Sequence, residues 1–296
     1  MTPRIAVFTK NRSNPAYEAA RLGADIVARR LGAQAMHYVP TKDDDPDGQS
    51  ALVDQALAQR PDALVFTPVH ATRMNAAVER MHASGIPIFG FVNPLPVGRC
   101  VTYVGSDDAE MGQAIARYLF AHLGGRGRVL LISGPLVSVT SAARMRSFLE
   151  VATQHPGIVI AGTCVGDYAR DVARREVARW LGANEAPDAC LAANDVMALG
   201  AIDALGSTGG RPAVAGVNAI PEAVAAIRRG EMLATANFDA MQMAALATEC
   251  AVRHLRGERV PQEIDLPVEI VDRRNCHRWD RPFDERPVRT LEEALA

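Results

Sequence analysis

PDACLAANDVMALGAIDAL, residues 187–205, sets an apolar run at 189–193 against a polar pair, Asn194 and Asp195, and then a second apolar stretch. The first run is small and apolar throughout, with no polar alternation, so both of its faces are covered, as in a strand of a parallel sheet. Residues 196–205 have helical spacing. The polar end of the strand therefore opens on the crevice where open α/β sheets hold their ligands. Asp195 is predicted to cap the helix, leaving Asn194 to offer both a donor and an acceptor to that crevice. An isolated Asn-Asp pair is more often a plain helix cap, so the surrounding pattern decides.

That pattern repeats. IAVF (5–8), ALVFTP (63–68), IPIFGFV (86–92), RVLLISG (128–134), IVIAGTCV (158–165) and AVAGVN (213–218) all read as buried strands followed by polar turns. Helical spacing fills the intervals at 17–31, 50–58, 74–83, 109–123, 141–154 and 169–181. Alternation of this kind implies parallel sheets with right-handed crossovers. Two echoes divide the chain: RIAVF is matched by RVLLI, and PDALVF at 61 by PDACLA at 187. Their separation is far too long for a solenoid, so the reading is an α/β chain of two similar doubly wound lobes joined by a three-crossing hinge. The first lobe is expected to hold residues 1–105 plus about 238–265, and the second residues 106–237 plus about 266–296. Asp107 with Glu110 resembles a capping box at the start of the second lobe.

Composition limits the function. With 296 residues and 48% hydrophobic content the chain is long enough for two cores. Lys plus Arg is 32 and Asp plus Glu 34, a formal charge of -2, so no basic bias points to nucleic acid. No segment has the apolar length of a membrane span. Cys100, Cys164, Cys190, Cys250 and Cys276 show no metal-ligand spacing and read as free, mostly buried thiols. The chain has no GxSxG elbow, P-loop, HExxH or GxGxxG after a strand, and its histidines are scattered. Neither an enzyme nor a cofactor or metal is expected.

Taken in order, IAVFTKNRSNPAY, PDALVFTP, GIPIFGF, VTYVGSDDAEMGQAIA, TSAARMRSF, PDACLAANDVMALGAIDAL and VAGVNAIPEAVAAIRRGEMLATANF resemble the type I periplasmic binding proteins of the ribose and sugar-binding group. These are the solute receptors of ABC importers, and they share their fold with the effector domains of LacI-type repressors. The resemblance runs from about Arg4 to Val271. It implies a ligand held in the cleft between two lobes, hinge closure on binding, docking of the closed form on a membrane permease, and a monomer.

The resemblance also assigns candidate ligand residues. In the first loop they are Lys10, Asn14 and Tyr17, whose ring suits the apolar face of a sugar but equally suits packing under a helix. Ala16 departs from the group, which commonly has an aromatic residue there. Phe91 in the strand IPIFGFV is a further candidate; after that strand Asn93 stands where the sugar binders carry an Asp, and Asn218 likewise replaces an acid. Arg144 matches the Arg of the group's RxxGF pattern, with Ser147 in place of Gly. Asn194 and Asn237 complete the set, with Asp239 the alternative to Asn237. The five asparagines together make a neutral, hydroxyl-reading site. Without the two acids, Arg144 is expected to be less compensated, which raises the case for a sugar acid beside the leading sugar or polyol. Lys10, Arg12, His70 and Arg73 lie on loops at the same end and would add to that field, unless they are simply solvated.

Met1 to Arg4 run straight into the first strand, leaving no room for an export signal. The expectation is therefore a periplasmic protein whose signal has been removed, or a cytoplasmic one if the chain is native as given. A LacI-type effector domain, or a receptor coupled to a membrane sensor, is the alternative function. The tail, 273–296, is rich in Arg, Asp, Glu and Pro. Its Thr290 and Glu293 read as a capping box, with Trp279 and Phe283 pinning the tail to the second lobe.

Overall fold

The computed structural model describes residues 2–206 and 212–296. In chain order the elements are β1 (Arg4–Phe8), α1 (Pro15–Arg30), β2 (Gln34–Tyr38), α2 (Pro46–Ala58), β3 (Ala63–Phe66), α3 (Asn75–Ala83), β4 (Ile88–Phe91), β5 (Thr102–Gly105), α4 (Asp108–His122), β6 (Arg126–Ser133), α5 (Val139–Thr153) and β7 (Gly157–Val165). They continue with α6 (Arg170–Leu181), β8 (Ala189–Ala192), α7 (Asp195–Leu205), β9 (Ala213–Val217), α8 (Pro221–Arg229), β10 (Ala234–Ala236), α9 (Ala240–Leu255), β11 (Glu263–Asp265), β12 (Ile270–Asp272) and α10 (Leu291–Leu295).

The chain forms two compact units. One comprises Met1–Ser106, Asp239–Pro267 and Phe283–Ala296, the other Asp107–Phe238 and Val268–Pro282. The first unit holds a sheet of order β11-β5-β4-β3-β1-β2, parallel at every pairing. The second holds β12-β10-β9-β8-β6-β7, parallel except where β12 meets β10. Both sheets therefore start with the same strand order, and the echoed segments fall on equivalent strands: β1 and β6 second from one edge, β3 and β8 third. The central strands are apolar and buried, β3 and β8 over their whole length and β1 and β9 from their second residue on, as strands covered on both faces must be.

The tail divides instead of staying with the second unit as the sequence implied. Val268–Pro282 belong there, but Phe283–Ala296 pack on the first unit, and Leu266 and Pro267 also belong to the first. Side chains explain the split. Gln242 on α9 exchanges two bonds with the backbone of Arg289, at 2.9 and 2.8 Å, Glu292 pairs with Arg253, and Leu291 is buried. The Thr290–Glu293 capping box forms as read. In the other direction, Asp280 pairs with Arg228 of α8 and Arg278 with Glu269. The chain therefore passes between its units four times, where three were expected.

In the first unit α1 lies against α9, and at Gly23 the two helices approach closely. A Cβ built there runs into the Met241 carbonyl oxygen, which belongs to the partner helix's backbone. Gly23→Ala is expected to cost about 2 kcal/mol, because two helices must separate to admit one methyl group. Gly182→Ala, where an added Cβ meets nothing nearer than 3.5 Å, serves as the near-neutral control. Urea unfolding of both variants checks this, and equal midpoints would remove the argument.

All five cysteines are free, four of them buried and Cys100 half-buried. Burial pushes the thiols of Cys190 and Cys250 up to about 12, so they behave as core side chains without nucleophilic character.

Candidate functional site

The candidate residues of the first unit lie past the carboxyl ends of β1, β3 and β4. Asn14 is the N-cap of α1, its Oδ1 accepting from Ala16 N–H at 3.0 Å. Its backbone is held in turn by Asn11 Oδ1, while Asn11 Nδ2 donates to Asp44 at 3.1 Å. Tyr17 is buried in the first turn of α1, with Lys10 Nζ 5.8 Å from its ring centroid. Lys10 is itself buried and stands 3.6 Å from Asp44 Oδ1. Phe91 is fully buried at the end of β4, so it fixes the strand end. Asn93, just beyond, donates from Nδ2 to Pro68 O at 2.8 Å. Its Oδ1 is buried and has no hydrogen-bond partner among the described residues.

His70 has another task. Its Nδ1 accepts from the Thr72 and Arg73 N–H groups, both at 3.2 Å, which makes it the cap of a turn. Arg73 pairs with Asp47, and the Arg12 N–H bonds Asp43. Of the basic field expected on these loops, Lys10 and Arg73 thus have carboxylate neighbours, Asp44 and Asp47.

In the second unit the Asn194–Asp195 pair takes roles different from those read in the sequence. Asn194 has extended backbone (φ -152°, ψ 167°) and is the N-cap of α7, its Oδ1 accepting from Met197 N–H at 2.9 Å. Its Nδ2 is buried without a hydrogen-bond partner among the described residues. Asp195 is already helical, so its carboxylate turns inward, taking the Thr235 hydroxyl at 2.6 Å and the Ile220 N–H at 3.1 Å. Burial pushes this carboxyl up to about 6, against the pull of those donors and of Arg144.

Those contacts hold a strained turn. Asn218 (φ 131°) and Ala219 (φ 51°) follow β9 with left-handed backbone, which non-glycine residues adopt only when their surroundings enforce it. Asp195 and Thr235 supply that enforcement, since Thr235 Oγ1 also accepts from Ala219 N–H at 3.3 Å. Val92 (φ 64°), next to Asn93, and the pair Asp167 and Tyr168 (φ 49° and 57°) likewise sit past strand ends. Strain thus gathers at the end of each sheet where the candidate residues lie.

Arg144, from α5, is buried. Asp108 Oδ1 lies 2.8 Å from its Nε and 2.7 Å from its Nη2, and Nη1 donates to Ala193 O at 2.7 Å. Its guanidinium carbon is 5.0 Å from the Phe238 ring centroid, within cation–π range. The expectation of a weakly compensated charge is therefore corrected. Asp108, the first residue of α4, supplies the carboxylate that positions 93 and 218 lack. Asn237 is half-buried and its backbone N–H bonds Glu269 O at 2.7 Å. Its alternative, Asp239, caps α9 in the first unit through Gln242 N–H.

A cavity of about 550 Å³ lies elsewhere in the second unit, at the amino-terminal end of β9, lined by Ile202, Leu205, Val214, Met232 and Leu233. It contains none of the candidate residues.

Residues 5–259 match the model of the periplasmic binding protein domain. The chain belongs to that family. This periplasmic binding protein is similar to the ribose import binding protein of Bacillus subtilis (strain 168), 26% identical over 266 residues, covering 90% of this chain and 86% of the relative. It is similar also to the xylitol-binding protein of Mycolicibacterium smegmatis, 27% identical, covering 79% and 67%. Among solved structures, an ABC transporter periplasmic solute binding protein from Actinobacillus succinogenes 130z with bound D-allose superposes with a TM-score of 0.88 at 25% identity, covering 93% of this chain and 99% of that one. The periplasmic binding protein described here is a binding protein and not an enzyme. Among its described residues no helix is long and apolar enough to cross a membrane.

The sequence reading of this periplasmic binding protein passed over three side chains at the same strand ends. Asp108 looked like part of a helix start. Phe238 was skipped in favour of its neighbours, although an aromatic residue directly after β10 was a signal. Tyr168 follows β7, and its hydroxyl meets Ser138 Oγ at 3.1 Å and Thr140 Oγ1 at 3.0 Å, so its ring is held by the N-cap and first turn of α5.

Proposed function

We propose that this protein is a receptor for a small neutral polyhydroxyl solute, a sugar or polyol, which it delivers to an ABC importer through a membrane permease, acting as a monomer in the periplasm. The observation that carries this reading is the pair of unsatisfied amide atoms, Asn93 Oδ1 in the first unit and Asn194 Nδ2 in the second. A buried polar atom without a partner is costly and rare. Each suits a hydroxyl group, which can give a hydrogen bond to Asn93 Oδ1 or take one from Asn194 Nδ2.

The ligand groups offered by the first unit are Asn14, Tyr17 and Asn93, and those of the second are Tyr168, Asn194, Asn218, Arg144 and Phe238. Tyr17, Tyr168 and Phe238 supply faces for the C–H side of a sugar ring. Lys10 acts through Tyr17 and Asp44, while His70 and Phe91 shape the loops. A solute bound by either set favours the conformation in which those groups reach it, and its differential affinity for that state drives any change of conformation. The relatives named for ribose import and xylitol binding, and the solved structure with bound D-allose, fit this solute class.

The test is a thermal-shift screen of ligand-stripped protein against pentoses, hexoses, polyols and inositols, with calorimetry on each hit. A solute at about a hundred times its dissociation constant adds roughly 2.7 kcal/mol of stability, a shift of several degrees. A screen in which no sugar or polyol shifts the transition while another solute class does removes the reading.

A further inference from the structure

We propose that Asp108 sets the charge class of the ligand. By holding Arg144 in a buried ion pair, it selects uncharged polyhydroxyl solutes over those that carry a carboxylate. This rests on the reading that the Arg144 end of the second unit binds the solute.

The argument starts from what a guanidinium does when its carboxylate partner is absent. An Arg buried in a binding site presents a forked donor set that fits a carboxylate edge, and with neither partner nor water it is costly. Such a site draws an anionic ligand as its missing counter-ion. Here the place is taken. Asp108 Oδ1 accepts from both Nε and Nη2, and Nη1 is spent on Ala193 O. The side chains of Arg144 and Asp108 are only 3% and 16% exposed, so solvent screens the pair little.

A ligand carboxylate arriving here would meet Asp108 as well as Arg144. It would have to displace Asp108 from a short pair or share one cation between two anions. A hydroxyl carries no net charge and pays none of these costs. In the first unit the other buried cation, Lys10, has Asp44 beside it, so neither candidate cation lacks a neighbouring carboxylate from its own unit. Asp108 is thus a specificity-determining residue that acts through Arg144.

Calorimetric titration with matched pairs tests this: D-ribose and D-ribonate, xylitol and xylonate, D-allose and D-allonate. Wild type is expected to bind at least one neutral member, with the acid partner roughly tenfold or more weaker. Asp108→Asn should narrow or invert that ratio by about tenfold or more, and adding Arg144→Gln should abolish the gain for the acid. If Asp108→Asn is too marginal to titrate, the readout is thermal rescue, with the aldonate and not the sugar restoring its transition.

The outcomes separate. Wild type that binds no member of any pair, and no sugar or polyol of the wider screen, overturns the sugar-receptor reading, and this inference with it. Wild type that binds a sugar, joined to an Asp108→Asn ratio that has not moved or a variant that the aldonate fails to rescue, overturns the inference alone. So does wild type that prefers the acid.

Discussion

Arg144→Ala is expected to lose sugar binding and about 3 kcal/mol of stability together. The truncation leaves Asp108, whose side chain is 16% exposed, as a nearly buried carboxylate facing a void. Removing one partner of a buried pair strands the other's charge, and that loss exceeds what the pair contributes in net terms. The Ala193 carbonyl loses its Nη1 donor and the Phe238 ring its covering cation. Because the stranded charge is the main cost, the double variant Arg144→Ala/Asp108→Asn should recover a large part of the stability without recovering binding. Urea unfolding and calorimetry on the two single variants and the double variant check this. Additive stability losses would show that the two side chains do not act as a pair.

Asp195→Asn is expected to be much less harmful at pH 7.5 than at pH 4.5. Burial raises the folded-state value of Asp195 from 3.8 to about 6, so between those values the native protein holds a proton that the unfolded chain has released. The stability contributed by Asp195 is therefore fully present below about pH 3.8 and is lost as the pH rises through about 6. At ~1.4 kcal/mol per unit the whole effect amounts to about 3 kcal/mol, of which about 2 kcal/mol falls between pH 4.5 and 7.5. Asparagine carries no such dependence, and the other titrating groups cancel when variant and wild type are compared at each pH. Denaturation at four pH values between 4.5 and 7.5 gives the curve. A difference that stays flat would mean that Asp195 titrates as an ordinary carboxylate.

The buried strands were legible because their apolar runs admit no other use, and the two echoes showed which strands correspond. The 34–38 strand escaped, being an edge strand whose residues, Tyr38 excepted, are only partly covered or exposed, with too few apolar neighbours to announce it. The 240–255 helix escaped for the opposite reason. It is buried along nearly its whole length, so its sequence lacks the polar stripe by which helices are recognised.

At the site, the polar residues past strand ends stood out, whereas their partners did not. The pairing of Asp108 with Arg144 joins positions far apart in the chain. The exchange of roles between Asn194 and Asp195 depends on which of two adjacent residues enters the helix first. Neither is a property of local sequence. The tail was placed in one unit because nothing in its composition marks the point at which Gln242 and Arg253 take hold of it.

The face that α1 presents to α9 is complete only when residues 240–255 have been made, some 225 residues after the end of α1. At roughly 5–20 residues per second, a ribosome needs about ten to forty seconds to cover that distance. Throughout that interval Gly23 and its alanine neighbours have no helix to meet, while nearly all of the second unit has already emerged. The nascent first unit thus carries an uncovered seam for far longer than an αβ domain built from one continuous segment.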